Sequence, residues 1–120
     1  MPRSPLPAST ETLCDQLIEK LGGVVVKFGR KGKRTTNTDG VPDRLYLVKG
    51  KLWWFEIKSK NDYLSAQQFA FLTNIQTHGG IAGCGNRDDL CTLLNAPHPF
   101  NIGFRQTVKY STRQKALRGT

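Results

Sequence analysis

Apolar residues along this chain recur first at helical spacing, then at strand spacing, and then alternate between the two. Leu13, Leu17, Ile18 and Leu21 form one stripe of a helix that Ser9 or Thr10 can cap and that Gly22-Gly23 ends. The β-branched run VVVKF, Val24 to Phe28, reads as a strand. The polar, basic stretch GRKGKRTTNTDG has no periodicity and reads as a loop. Two strands follow, near Asp43 to Val48 and Lys51 to Lys58, with Lys49-Gly50 as the turn between them. Ser65 can cap a second helix through about Thr77, stopped by Gly79-Gly80. IAGCG is a short strand candidate, and NRDDLCTLLN a third helix with Asn86 as cap and acids in its first turn.

This order, α-β-β-β-α-β-α, describes an α/β domain over residues 10–96. A Pro- and Ser-rich arm, residues 1–9, precedes it, and a basic extension, residues 97–120, follows. A length of 120 residues with 38% hydrophobic content suits one domain with a modest core, and a second chain could help bury surface.

Charge changes the picture more than size does. There are 18 Lys and Arg against 9 Asp and Glu, a net charge of +9, which favours attraction to a polyanion such as nucleic acid. The bland alternative is a basic protein kept soluble by its charge. Cys14, Cys84 and Cys91 lack the paired spacing of a zinc site and read as buried small hydrophobes of a reducing compartment. MPRSPLPAST has no apolar signal core, and no run approaches the roughly 20 apolar residues of a membrane span. The expectation is a cytoplasmic protein with no membrane partner.

Against that basic background, two acids in the hairpin stand out. With Lys49-Gly50 as a two-residue turn, Val48 opposes Lys51, Leu47 opposes Leu52, and Asp43 comes opposite Glu56. Opposed residues share a sheet face about 5 Å apart, so Asp43, Glu56 and Lys58 cluster on one face. Trp53, Phe55 and Ile57 fall on the other, as core residues. Two carboxylates at that spacing repel by about 3 kcal/mol at an effective dielectric near 20. Lys58 could neutralise them as a surface charge cluster. A divalent metal is the sharper reading, because Mg²⁺ takes one or two carboxylates and can activate water against a phosphate.

Pro42-Asp43, twelve residues, then Glu56-Ile57-Lys58 resembles the PD-(D/E)XK nuclease signature. With Gly40-Val41 before it and Leu64-Ser65-Ala66-Gln67-Gln68 after it, the set G-V-P-D, E-x-K and L-S-x-x-Q is similar to the VRR-Nuc family of virus-type replication and repair nucleases, in its short stand-alone form. The resemblance implies a restriction-endonuclease-like core, a central mixed sheet flanked by helices. It implies Asp43, Glu56 and the Ile57 backbone carbonyl as ligands of Mg²⁺ or Mn²⁺, with Lys58 as the catalytic lysine and Gln68 as the motif glutamine. Gln67 is the alternative if the helix is rotated. It also implies a glutamate ligand on the first helix, where Glu11 fits and Asp15, one turn later, is the rival. The implied activity is a metal-dependent, structure-specific DNA endonuclease, acting as a homodimer on Holliday junctions in DNA repair or recombination. A bacterial or phage-infected cell is the implied setting.

Other residues carry weaker signals. Arg30, Lys31, Lys33, Arg34 and Lys60 are candidates to hold DNA phosphates, against a reading as solvated loop charges. Arg44 lies on the strand face opposite Asp43 and is expected at a surface or interface. Tyr63 could stack on a base. His78 and His98 lack partners at metal-ligand spacing. The competing readings are a flap or restriction-like nuclease of the same fold and a non-catalytic basic nucleic-acid-binding module.

Overall fold

The structure, a computed structural model, describes residues 8–28, 40–59 and 61–96. The elements are α1 (Thr10–Lys20), β1 (Val24–Lys27), β2 (Arg44–Val48), β3 (Lys51–Ile57), α2 (Ala66–Thr77), β4 (Ile81–Gly85) and α3 (Arg87–Asn95). This is the α-β-β-β-α-β-α order expected from the sequence. The strands form one sheet in the order β1-β2-β3-β4. The first three pair antiparallel, and β4 runs parallel to β3. The mixed character follows from the connections. Two residues reverse the chain between β2 and β3, whereas α2 carries it back over the sheet to start β4 in the same direction as β3.

Each helix begins where a polar side chain can take its free N–H groups. Ser9 Oγ accepts from Thr12 N–H at 3.1 Å. Ser65 and Gln68 form a reciprocal capping box, as do Asn86 and Asp89.

Strand alternation divides the apolar residues between two layers. Tyr46, Val48, Trp53, Phe55 and Ile57 pack against Cys14 and Ile18 of α1 and Leu90, Leu93 and Leu94 of α3. Across the sheet, Ala82 and Cys84 join Leu64 and Leu72, with Trp54, Phe69 and Ile75 beside them under α2. Trp53, Phe55 and Ile57 are thus core residues, as expected. Burying a side chain of this size is worth about 1.5–3 kcal/mol, so these three anchor β3 firmly. Among the described residues no helix is long and apolar enough to cross a membrane.

Three sequence expectations need correction. The inward face of α1 is Cys14, Asp15 and Ile18 with Leu17 partly buried, while Leu13 and Leu21 are exposed. The helix is rotated from its most apolar stripe because a buried acid occupies one inward position. Cys14 and Cys84 are buried, but Cys91 is partly exposed, and all three are free thiols. Arg44 is not on the surface; it is 6% exposed and lies in the α1 layer. The arm over residues 1–7 and the extension over 97–120 lie outside the described residues.

Candidate active site

The hairpin between β2 and β3 has the expected register. Pairs run from Val48↔Lys51 out to Arg44↔Phe55, so the next position outward sets Asp43 against Glu56. Lys49 and Gly50 both have positive φ, 54° and 71°, as a two-residue hairpin turn of matching twist requires. Asp43 itself precedes the first residue of β2. It is nevertheless tied into the sheet, because its carbonyl accepts the Phe28 N–H at 2.9 Å.

The two acids grip each other's strands. Asp43 N–H donates to Glu56 Oε1 at 3.2 Å, and Ile57 N–H donates to Asp43 Oδ2 at 3.2 Å. Glu56 is only 3% exposed. Its Oε2 accepts from Gln68 Nε2 at 3.2 Å and lies 3.6 Å from Lys58 Nζ. Gln68 is aimed by the helix cap. Its Oε1 accepts the Ser65 N–H at 2.9 Å, which turns its amide nitrogen toward Glu56. Gln68 rather than the exposed Gln67 makes this contact.

Gly40 explains how the strand entry comes so close to α2. Its φ is +88°, and a Cβ there would collide with the Gln67 carbonyl. Only glycine meets both demands. Pro42, fully buried, follows at the end of that approach.

This packing sets the electrostatics of the pair. Burial, the facing Asp43 charge and the hydrogen bond shared with Asp43 push the Glu56 carboxyl up to about 8, against the lowering effect of Lys58 and the Asp43 N–H. Without a cation, the pair therefore resists carrying two charges. The residues fit a hard divalent ion. They present carboxylate oxygens, and one of the carboxyl groups would ionise readily only beside added positive charge. Among the described residues no group of three or more His, Cys, Asp or Glu is gathered. Two carboxylates suit Mg²⁺, which commonly completes its shell with water and other oxygens.

The first-helix acids are placed differently. Glu11 points to Arg44, Oε2 to Nη2 at 3.4 Å, and its side chain is 59% exposed. Asp15 is buried and takes Arg44 on both oxygens, Nε at 3.0 Å and Nη2 at 3.2 Å. Tyr46 donates its hydroxyl to Asp15 Oδ1 at 2.8 Å. Burial and then the Asp15 bond push the Tyr46 hydroxyl up, so it stays a donor. Both helix acids are thus held on Arg44, behind the sheet from the Asp43–Glu56 pair. Sequence reasoning missed this network. The signal was available in the alternation that puts Arg44 on the face of Phe55, where a buried guanidinium needs an acid. Arg30, Lys31, Lys33, Arg34 and Lys60 lie outside the described residues.

One solved structure similar to this chain is called a VRR_NUC domain, with a TM-score of 0.58 and 22% sequence identity over 74% of this chain and 94% of that one. This chain has the VRR_NUC fold. No family model matches the sequence, and no curated protein matches it. Within the VRR_NUC fold, the strand entry carrying Asp43 and the start of α2 carrying Gln68 are both brought to Glu56, with Lys58 beside it.

Proposed function

We propose that the protein is a Mg²⁺- or Mn²⁺-dependent endonuclease that hydrolyses phosphodiester bonds in DNA. The observation that carries this reading is the facing pair of half-buried Asp43 and buried Glu56, with Lys58 Nζ 3.6 Å from Glu56. A binding module has no use for two opposed acids in a chain of net charge +9. The structural neighbour's name, VRR_NUC, supports a nuclease-type domain.

Asp43, Glu56 and the Ile57 carbonyl would hold the ion, while Glu11 stays on Arg44. When bound, the ion supplies charge neutralisation at the phosphate and lowers the pKa of water. Lys58 orients the attacking water or meets the charge that develops on the phosphate. Gln68 keeps Glu56 in place through the α2 cap. Water adds to phosphorus, the bond to the 3′-oxygen breaks, and that oxygen takes up a proton. The products are 5′-phosphate and 3′-hydroxyl ends.

Phe28, which donates to the Asp43 carbonyl, and Gly40, packed against Gln67, flank the segment 29–39 in sequence. That segment carries Arg30, Lys31, Lys33 and Arg34, the right charges to draw the DNA backbone to the acids. Lys60, two residues after Lys58, is proposed for the same role. A Holliday junction is the proposed substrate and a homodimer the proposed form, since two sites related by a two-fold axis suit symmetric cutting of a four-way junction. A cytoplasmic place and a role in repair or recombination go with that substrate.

The test is incubation with labelled four-way junction, flap and linear duplex in Mg²⁺, Mn²⁺ or EDTA, with Asp43→Ala as control. Paired, metal-dependent junction cuts that vanish in the variant are expected. Absence of metal-dependent cutting of every substrate would remove the nuclease reading and leave a basic binding module. Flap cutting without junction cutting would remove only the resolvase.

A further inference from the structure

Asp43 sits at a weak point of the architecture. It lies one residue before β2 begins, so the strand ladder holds it from one side only. Its carbonyl nevertheless has two donors, the Phe28 N–H at 2.9 Å and Arg44 Nη1 at 3.2 Å. The guanidinium that supplies the second is itself clamped. Asp15 takes Nε and Nη2 in a fork, Glu11 takes Nη2, and Tyr46 fixes Asp15 from the far side.

A buried ion pair of this kind contributes little net stability compared with apolar residues of the same volume. Placed at random, it would be an expensive way to fill a core. Here it stands directly behind Asp43. It joins α1 to the one backbone carbonyl that fixes where the Asp43 side chain starts. Partners that orient metal ligands from behind typically govern metal affinity and activity by tenfold to a hundredfold.

We infer that Arg44 is a positioning residue for Asp43, with Asp15 holding Arg44 in turn, and that α1 thereby sets the affinity of the site for its divalent ion. This inference rests on the metal-dependent reading of the Asp43–Glu56 pair. Arg44 touches neither the DNA nor the reacting atoms; it acts through the backbone of Asp43.

The experiment compares Arg44→Lys with Tyr46→Phe. Lysine keeps the positive charge but cannot fork onto Asp15 and reach the Asp43 carbonyl at once. Tyr46→Phe removes a bond of the same network and lowers stability while leaving the Arg44–Asp43 contact in place. Each protein is measured for thermal stability, for Mn²⁺ binding by calorimetry, and for the Mg²⁺ concentration giving half-maximal cleavage of a DNA substrate. For Arg44→Lys, Mn²⁺ affinity should fall and the Mg²⁺ midpoint rise by about tenfold. For Tyr46→Phe, both should stay within about twofold of the wild type, because the Asp43 carbonyl keeps its second donor. A midpoint unchanged in Arg44→Lys, or shifted equally in both variants, would overturn the positioning role. If Arg44→Lys does not fold, the triple change Asp15→Leu, Arg44→Met and Tyr46→Phe replaces the network with apolar volume and is read the same way. A wild-type protein that binds Mn²⁺ but cuts no DNA would sink the nuclease reading and leave the positioning role to be judged by calorimetry alone.

Discussion

Replacing Glu56 with glutamine should flatten the pH dependence of stability in the metal-free protein while removing the proposed DNA cleavage. The Glu56 carboxyl is buried against Asp43 and stays protonated up to about 8, whereas its ordinary value is 4.5. Between those limits, the folded chain holds a proton that the unfolded chain has released. Stability is therefore complete below the lower value, falls as pH rises, and levels off above about 8. One such group gives a slope approaching about 1.4 kcal/mol per pH unit, and the whole window caps the loss at about 5 kcal/mol. Glutamine keeps an acceptor for the Asp43 N–H but presents an amide nitrogen to Gln68 and Lys58. At pH near 5, that mismatch should leave it about 1 kcal/mol less stable than the wild type. As pH rises, the wild type loses stability and glutamine does not, so the two profiles should converge and cross. The assay is urea unfolding in EDTA at half-unit steps from about pH 5 to about pH 9 for both proteins. The difference between them should change by at least about 2 kcal/mol across that range. Parallel profiles, within about 0.5 kcal/mol, would refute the claim that burial and Asp43 hold the proton on Glu56. Added Mg²⁺ near pH 8 should restabilise the wild type and leave the variant unmoved, since only the carboxylate offers the second charge.

Gly40→Ala should lose about 1–3 kcal/mol in urea unfolding and cut DNA more slowly, because a Cβ at φ +88° strikes the Gln67 carbonyl and drives the Asp43 entry away from α2. Gln68→Ala removes both the capping-box partner of Ser65 and the Glu56 contact, and should cost about 1–2 kcal/mol together with cleavage rate. Gln67→Ala, at an exposed position, should stay within about 0.5 kcal/mol of the wild type. Phe55→Ala, in the layer between sheet and α1, should cost about 3–5 kcal/mol by thermal or urea melting.

The helices and strands were legible in the chain because each is marked locally. Ser65 and Asn86 announce helix starts, and the two pairs Gly22-Gly23 and Gly79-Gly80 announce stops. The facing of Asp43 and Glu56 was legible for a related reason. Once the turn is fixed at Lys49-Gly50, a period of two leaves no freedom in the register. The rotation of α1 was not legible, because Leu13 and Leu21 outweigh Asp15 on any apolar count. A helix turns its acid inward only when a buried partner awaits it, and that partner, Arg44, is 29 residues away.

The sequence alone determined the order of elements, the hairpin register and the identity of the acids, since these depend on neighbours within a few residues or on strict alternation. Tertiary packing decided the rest. It brought the capping-box residue Gln68, not Gln67, against Glu56. It gave Glu56 its reluctance to ionise by closing the site to water. It also brought α1 behind Asp43 through Arg44. Those properties are set by distances between groups far apart in the chain, which no local pattern encodes.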